Sequence, residues 1–190
     1  MSFLPDDLRD FVQFGYLTGW RKGEIRQLEW RHIAGNVLRL PPAISKNKDG
    51  RVLILVGELA EIIERRRTLQ RDTIPWVFFR ADGNQVKRFY RSWKTACLQA
   101  GLPVDTPQER KRFHDFRRAT ARDLSRAGIP DRIAMSIIGH KTRPIYDRYN
   151  IVNEGDIAQA LTQAAQYRSR RGYNLATLEE GRARKETKGE

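Results

Sequence analysis

Apolar residues recur along this chain in two rhythms, one close to the 3.6-residue helical period and one close to the two-residue strand period. Leu8, Phe11, Val12 and Gly15 keep helical spacing after Leu4-Pro5-Asp6-Asp7, a helix start with Pro near the first turn and two acids against the dipole. That helix should end near Thr18-Gly19, and a second should open at Trp20-Arg21 and carry Glu24, Ile25 and Leu28. Val37–Leu40 and Arg51–Leu55 read as short strands joined by a hairpin whose tight turn is Asp49-Gly50, with Lys46 and Lys48 on it. Leu59, Ile62, Ile63 and Leu69 predict a helix with Arg65-Arg66-Arg67 on its outer face, and Trp76–Phe79 predicts a third strand. Phe89, Tyr90, Trp93, Ala96, Cys97 and Ala100 form the clearest amphipathic stripe, whose spacing fits burial better than a base-stacking platform.

The second half is helical. Arg112–Ala119 opens a helix that stops at Ala127-Gly128, with His114 and Arg117 on one face. A short helix follows Pro130, with Ile133, Ala134, Ile137 and Ile138 inward and Gly139 as its cap. Asn153 suits the N-cap of a last amphipathic helix through Ile157, Ala158, Leu161, Ala164 and Ala165. The expected fold class is α+β, mainly helical, with a small antiparallel sheet.

Charge changes the picture more than composition does. With 36 Lys and Arg against 23 Asp and Glu, the 190-residue chain has a formal net charge of +13, which points to a polyanion, most commonly nucleic acid. A single cysteine, Cys97, excludes an internal disulfide and a cysteine-rich zinc site. The three histidines lack a metal-ligand spacing, so neither a metal nor another cofactor is expected. No long apolar run, signal peptide or lipid motif points to a membrane, and a cytoplasmic, DNA-associated location is expected. Chemistry is left to Arg, Lys, His and Tyr.

Those residue types gather in Gly139-His140-Lys141-Thr142-Arg143-Pro144-Ile145-Tyr146-Asp147-Arg148-Tyr149. A tyrosine hydroxyl has an ordinary pKa of about 10 and attacks poorly, but surrounding cations can make it a nucleophile toward a phosphodiester. Tyr149 is either such a nucleophile or an ordinary half-buried helix tyrosine, and Tyr146, three residues earlier, is its rival.

The order of the boxes is more informative than any one of them. Thr18-Gly19-Trp20-Arg21-Lys22-Gly23-Glu24-Ile25, the hairpin Lys46, His114-Asp115-Phe116-Arg117, Ile138-Gly139-His140 and Arg148-Tyr149-Asn150 follow one another. In that order they resemble the tyrosine recombinase (phage integrase) family over about residues 3 to 165. The resemblance implies the catalytic-domain fold of that family and a catalytic set of Arg21, Lys46, His114, Arg117, His140 and Tyr149. Three departures stand out. No separate N-terminal DNA-clamping domain precedes the first catalytic-domain helix; His32 sits where an acid is common and is given no catalytic role; and Leu53-Ile54-Leu55 lacks the proline often found after the hairpin.

The implied reaction is site-specific recombination. Tyr149 would attack the scissile phosphodiester to give a 3′-phosphotyrosine link, which a 5′-hydroxyl resolves without metal or ATP. Arg21, Arg117 and His140 would donate hydrogen bonds to the phosphate, His114 would accept the tyrosine proton, and Lys46 would protonate the departing oxygen. The implied partner is a double-stranded DNA recombination site, bound by a homotetramer that exchanges its C-terminal helices. A topoisomerase-like relaxation activity and a catalytically idle DNA-binding module are the alternatives. Residues 1–168 are expected to form the catalytic domain and 169–190 a basic, mobile tail.

Overall fold

The computed structural model describes residues 2–104, 106, 110–147 and 154–170. They fall into two compact units, residues 1–150 and residues 151–190. In the first, helix α1 (Asp6–Thr18) buries Leu8, Phe11, Val12 and Phe14 and ends on Gly19, whose φ of 64° allows the left-handed cap. Helix α2 (Lys22–Ile25) is a single turn, shorter than the apolar spacing predicts, and the chain continues as turns to Leu28.

The sheet has the order β1-β2-β3, all antiparallel: β1 (Ile33–Ala34), β2 (Val37–Leu40) and β3 (Arg51–Ile54). Leu38 pairs with Leu53 and Leu40 with Arg51, so the period-two alternation that buries Leu38, Leu40, Leu53 and Leu55 also turns Arg51 inward. The connection from Pro41 to Gly50 is a series of turns. Its one left-handed residue is Lys48, at φ 56°, so the reversal is not the expected Asp49-Gly50 turn.

Helix α3 (Glu58–Arg67) keeps Arg65 and Arg67 exposed, as expected, but corrects the reading of Arg66. Arg66 stands four residues after Ile62, on the buried face, and is 2% exposed. Its Nε donates to Val77 O at 3.0 Å, and its guanidinium lies 4.6 Å from the Phe79 ring centre. Trp76–Phe79 is not a strand: it makes isolated bridges, Glu29 to Trp76 and Phe79 to Gln85.

Helix α4 (Tyr90–Gln99) buries Ala96 and Cys97 as predicted, whereas Tyr90 is 56% exposed. Helix α5 (Asp115–Arg126) begins later than predicted, with His114 at its N-cap position. The Arg117 N–H still donates to His114 O, at 3.1 Å, keeping the two residues on one turn. Helix α6 (Asp131–Ile138) ends on Gly139, at φ 80°. The main core joins α1, the sheet, α3 and α4, with Phe113 packed against Phe11 and Gly15. A smaller core holds Ala121, Ala134, Ile138 and Tyr146, the last from α7 (Arg143–Asp147).

The second unit is described through α8 (Glu154–Arg170), which carries exposed Ile157 and Leu161 and runs through Ser169 and Arg170, where the tail was expected to begin. Tyr149, Asn153 and residues 171–190 lie outside the described residues.

Candidate active site

The site forms where the end of α6 meets the α1–α2 junction and strand β3. A helix C-terminus presents carbonyl oxygens without intrahelical partners and partial negative charge, and so attracts cations. Here two arginines answer. Arg51 Nη1 donates to Ile138 O at 2.7 Å, and Arg117 Nη1 donates to the same oxygen at 2.6 Å. Arg117 also reaches Gly139 O from Nη2 (2.8 Å) and Gly19 O from Nη1 (2.9 Å), linking both left-handed caps. Trp20 completes the junction: its Nε1 donates to Ile137 O at 2.7 Å, and its ring lies under the Arg51 guanidinium, 4.8 Å from centre to Cζ.

Gly139 is required here twice. Its φ is positive, and a Cβ at this position would overlap the Arg51 guanidinium. Gly-His at the end of α6 is therefore a packing requirement as well as a cap.

Glu24 is the anion that balances this cluster. It is 2% exposed, accepts from Arg21 Nη1 at 3.0 Å and from the Arg21 backbone N–H at 3.0 Å, and pairs with Arg51 Nη2 at 2.6 Å. The Lys46 backbone N–H approaches it at 3.4 Å. Burial opposes its charge, yet Arg51 and Arg21 together outweigh that effect and hold its carboxyl below the usual range. Burial pushes the Arg51 pKa down, and Glu24 opposes that shift.

His140 is 6% exposed, and its Nε2 lies 2.9 Å from Arg117 Nε. The guanidinium can only donate, so Nε2 accepts and a neutral ring carries its proton on Nδ1. Burial first, then the charges of Arg117 and Arg21, push the His140 pKa down to about 4. His114 is exposed at the α5 cap, where partial desolvation and the same two arginines also lower its pKa.

The fold thus brings Arg21, Arg117 and His140 together, with His114 within their field. Lys46 joins through its backbone, while its side chain is exposed on the hairpin. Tyr149 lies outside the described residues. Its rival Tyr146 is fully buried, with its hydroxyl 3.5 Å from Ala121 O and its pKa raised by burial and then by Asp131. A hydroxyl closed off from solvent in a small core is badly placed to meet a phosphodiester. Sequence reasoning missed Glu24 and Arg51, although Glu24 lies three residues after Arg21 and Arg51 falls on the inward side of the strand alternation. His32 is structural: its Nδ1 accepts the Glu29 N–H at 3.1 Å.

Comparison with known proteins identifies the family and the fold. The phage integrase family model matches residues 4–155. No curated protein sequence matches the chain significantly. Among solved structures, the XerA recombinase aligns with a TM-score of 0.63 at 17% identity, over 84% of this chain and 63% of that one. A lambda integrase tetramer bound to a Holliday junction aligns with 0.64 at 18% identity, over 77% of this chain and 42% of that one. The Tn1549 transposon integrase in complex with a circular intermediate DNA aligns with 0.65 at 15% identity, over 83% and 58%. The chain thus spans between 42% and 63% of the length of these relatives, and the likeness is one of fold.

Proposed function

The chain belongs to the phage integrase family, and on that premise we propose that it is a DNA strand-breaking and rejoining tyrosine recombinase acting on double-stranded recombination sites. The observation that carries this reading is the Glu24–Arg21–Arg51 cluster beside the Arg117–His140 pair, a cationic site held rigid from behind. In-line attack by the Tyr149 oxygen builds negative charge on the non-bridging phosphate oxygens. Arg21 is partly exposed, and Nη1 alone among its guanidinium nitrogens bonds Glu24, which leaves donors for an incoming phosphate. Arg117 adds a second fixed positive charge. A preorganised donor such as Arg21 is worth about 3 kcal/mol in the transition state; Arg117, buried with its guanidinium bonded to Gly19 O, Ile138 O, Gly139 O and His140 Nε2, contributes through its charge.

His114, with its lowered pKa, is neutral at pH 7 and fit to accept the tyrosine proton. His140 is neutral too, holds Arg117 through Nε2 and carries a donor at Nδ1. Lys46, on the exposed hairpin, is the acid that protonates the departing 5′ oxygen once DNA closes the hairpin onto the site. The product is a 3′-phosphotyrosine link that another 5′-hydroxyl reverses. Exposed Ile157 and Leu161 on α8 support docking of this helix on a neighbouring protomer in a DNA-bound tetramer; a native gel of the DNA complex that never passes a dimer would refute that assembly.

The test of the chemistry is covalent trapping on a nicked suicide duplex. Wild type and Tyr146→Phe should form the adduct, Tyr149→Phe should form none, and Arg21→Ala should slow it about 10²-fold or more. An adduct that survives Tyr149→Phe and disappears with Tyr146→Phe would transfer the role. Binding without any adduct would leave a DNA-binding module, and relaxation of a plasmid lacking the site would favour a topoisomerase-like activity.

A further inference from the structure

A cleft of about 380 Å³ opens next to the candidate active site, between the start of α4 and the segment leading into α5. It adjoins the site through the chain at two points: Lys22 follows Arg21, and Phe113 precedes His114. Five of its nine lining residues are cations and none is acidic. Among the described residues, no carboxylate pairs with Lys22, Arg88, Arg110 or Lys111. The remaining lining residues are all aromatic: Phe89, Tyr90, Trp93 and Phe113.

The two chemistries interleave. Lys22 Nζ lies 5.5 Å from the Phe89 ring centre, and the Arg110 guanidinium lies 5.9 Å from that of Tyr90. Tyr90 is 56% exposed at the start of α4, whereas Phe89 before it is buried. An exposed aromatic ring among cations, one of which, Arg110, donates to the Tyr90 hydroxyl at 3.5 Å, is what an unpaired nucleotide needs: a surface for its base and charges for its phosphates. Duplex DNA offers phosphates but keeps its bases stacked within the helix, so it would use the cations and leave the ring idle.

We propose that this cleft binds a single-stranded nucleotide of the DNA flanking the scissile phosphate, its base stacked on Tyr90 and its phosphates held by Lys22, Arg88 and Arg110. The cleft rests on the reading of the neighbouring site as one that cleaves DNA. A strand freed by cleavage must leave its complement before it can be exchanged, and a pocket next in the chain to Arg21 and His114 would hold it open in the interval.

The experiment compares fluorescently labelled oligo(dT) with a duplex of equal length, by anisotropy at fixed salt, on the full chain. Tyr90→Ala should weaken oligo(dT) binding about tenfold and duplex binding less than twofold, and Tyr90→Phe should bind both like wild type. Arg88→Ala should weaken both and lower the salt slope for oligo(dT) by about 0.7. Equal losses on the two DNAs, or no loss in Tyr90→Ala, would overturn the proposal, since the cleft would then be a phosphate track alone. Because Tyr90 is exposed, its truncation leaves the core intact, and an unchanged thermal transition checks this. Adduct formation on the suicide duplex is read separately. A Tyr90-dependent preference for oligo(dT) in a protein that forms no adduct keeps the cleft and removes the recombinase reading. The opposite pair of results does the reverse.

Discussion

Arg117 donates from Nε to His140 Nε2 across 2.9 Å, and this contact sets the protonation state of the histidine. A protonated ring would present an N–H to a guanidinium that has no acceptor. Burial and the surrounding cations therefore keep His140 neutral, with its pKa at about 4.

The consequence is a pH-dependent stability whose sign follows from linkage. Unfolded, a histidine titrates near 6.5. Between 6.5 and 4 the unfolded chain holds the proton and the folded chain does not, so stability rises with pH through this window. It is complete above the window and lost as pH falls. From pH 7 to pH 5 the expected loss is about 2 kcal/mol beyond that of His140→Gln, in which an amide oxygen takes the place of Nε2. Urea unfolding of both proteins at the two pH values reads the difference directly. His32, which is not among the charges that shift His140, titrates in both and cancels. Parallel pH curves would mean that His140 is protonated in the fold.

Glu24 and Arg51 are expected to be strongly coupled. Both side chains are buried, and removing the carboxylate leaves the Arg51 charge with the Ile138 carbonyl and the Trp20 ring. Glu24→Gln should cost about 3–5 kcal/mol, the usual result of orphaning a buried charge. In a double-mutant cycle with Arg51→Met, the pair should cost at least about 1 kcal/mol less than the sum of the singles. Additivity would show that Arg21 alone satisfies Glu24.

Gly139 and Gly101 offer a matched comparison. Both have positive φ, at 80° and 68°, but a Cβ on Gly101 meets open space while one on Gly139 meets Arg51. Gly101→Ala should therefore carry only the left-handed strain, about 1–2 kcal/mol. Gly139→Ala should cost clearly more and abolish adduct formation, because Arg51 must leave Ile138 O. Equal melting temperatures for the two variants would show that Arg51 gives way without loss.

Much of this was legible in the sequence wherever periodicity and burial agree. Helices α1, α4 and α6, the β2–β3 hairpin and the left-handed caps at Gly19 and Gly139 follow from apolar spacing and glycine placement. The differences share a cause: position along a helix or strand decides burial more than residue type does. Arg51 and Arg66 are charged, but strand and helix periodicity put both on buried faces. Tyr90 is aromatic, but it opens its helix at the edge of the stripe and is exposed. The spacing of the boxes already favours Tyr149 over Tyr146 as the nucleophile, and the small core of Ala121, Ala134 and Ile138 adds that Tyr146 belongs inside. Glu24 could not be recognised as the hub, because its partner Arg51 arrives from a strand far along the chain.

Arg66 turns that lesson into a measurement. In a basic run, a solvated or DNA-contacting role is the ordinary expectation, and on a 36-cation chain each arginine invites it. The fold instead uses the Arg66 guanidinium to cap Val77 O and Phe79 O inside the core, against the Phe79 ring. Burial lowers its pKa, with Asp10 and Asp7 opposing the shift. Arg66→Met keeps the stem but leaves two buried carbonyls unsatisfied, so it should cost about 2 kcal/mol or more in urea unfolding. Its effect on DNA binding should be different in kind. A guanidinium that is 2% exposed releases no counterions from a phosphate, so the dependence of duplex affinity on salt should keep its slope. A slope reduced by about 0.9 would place Arg66 on the DNA and contradict the buried position.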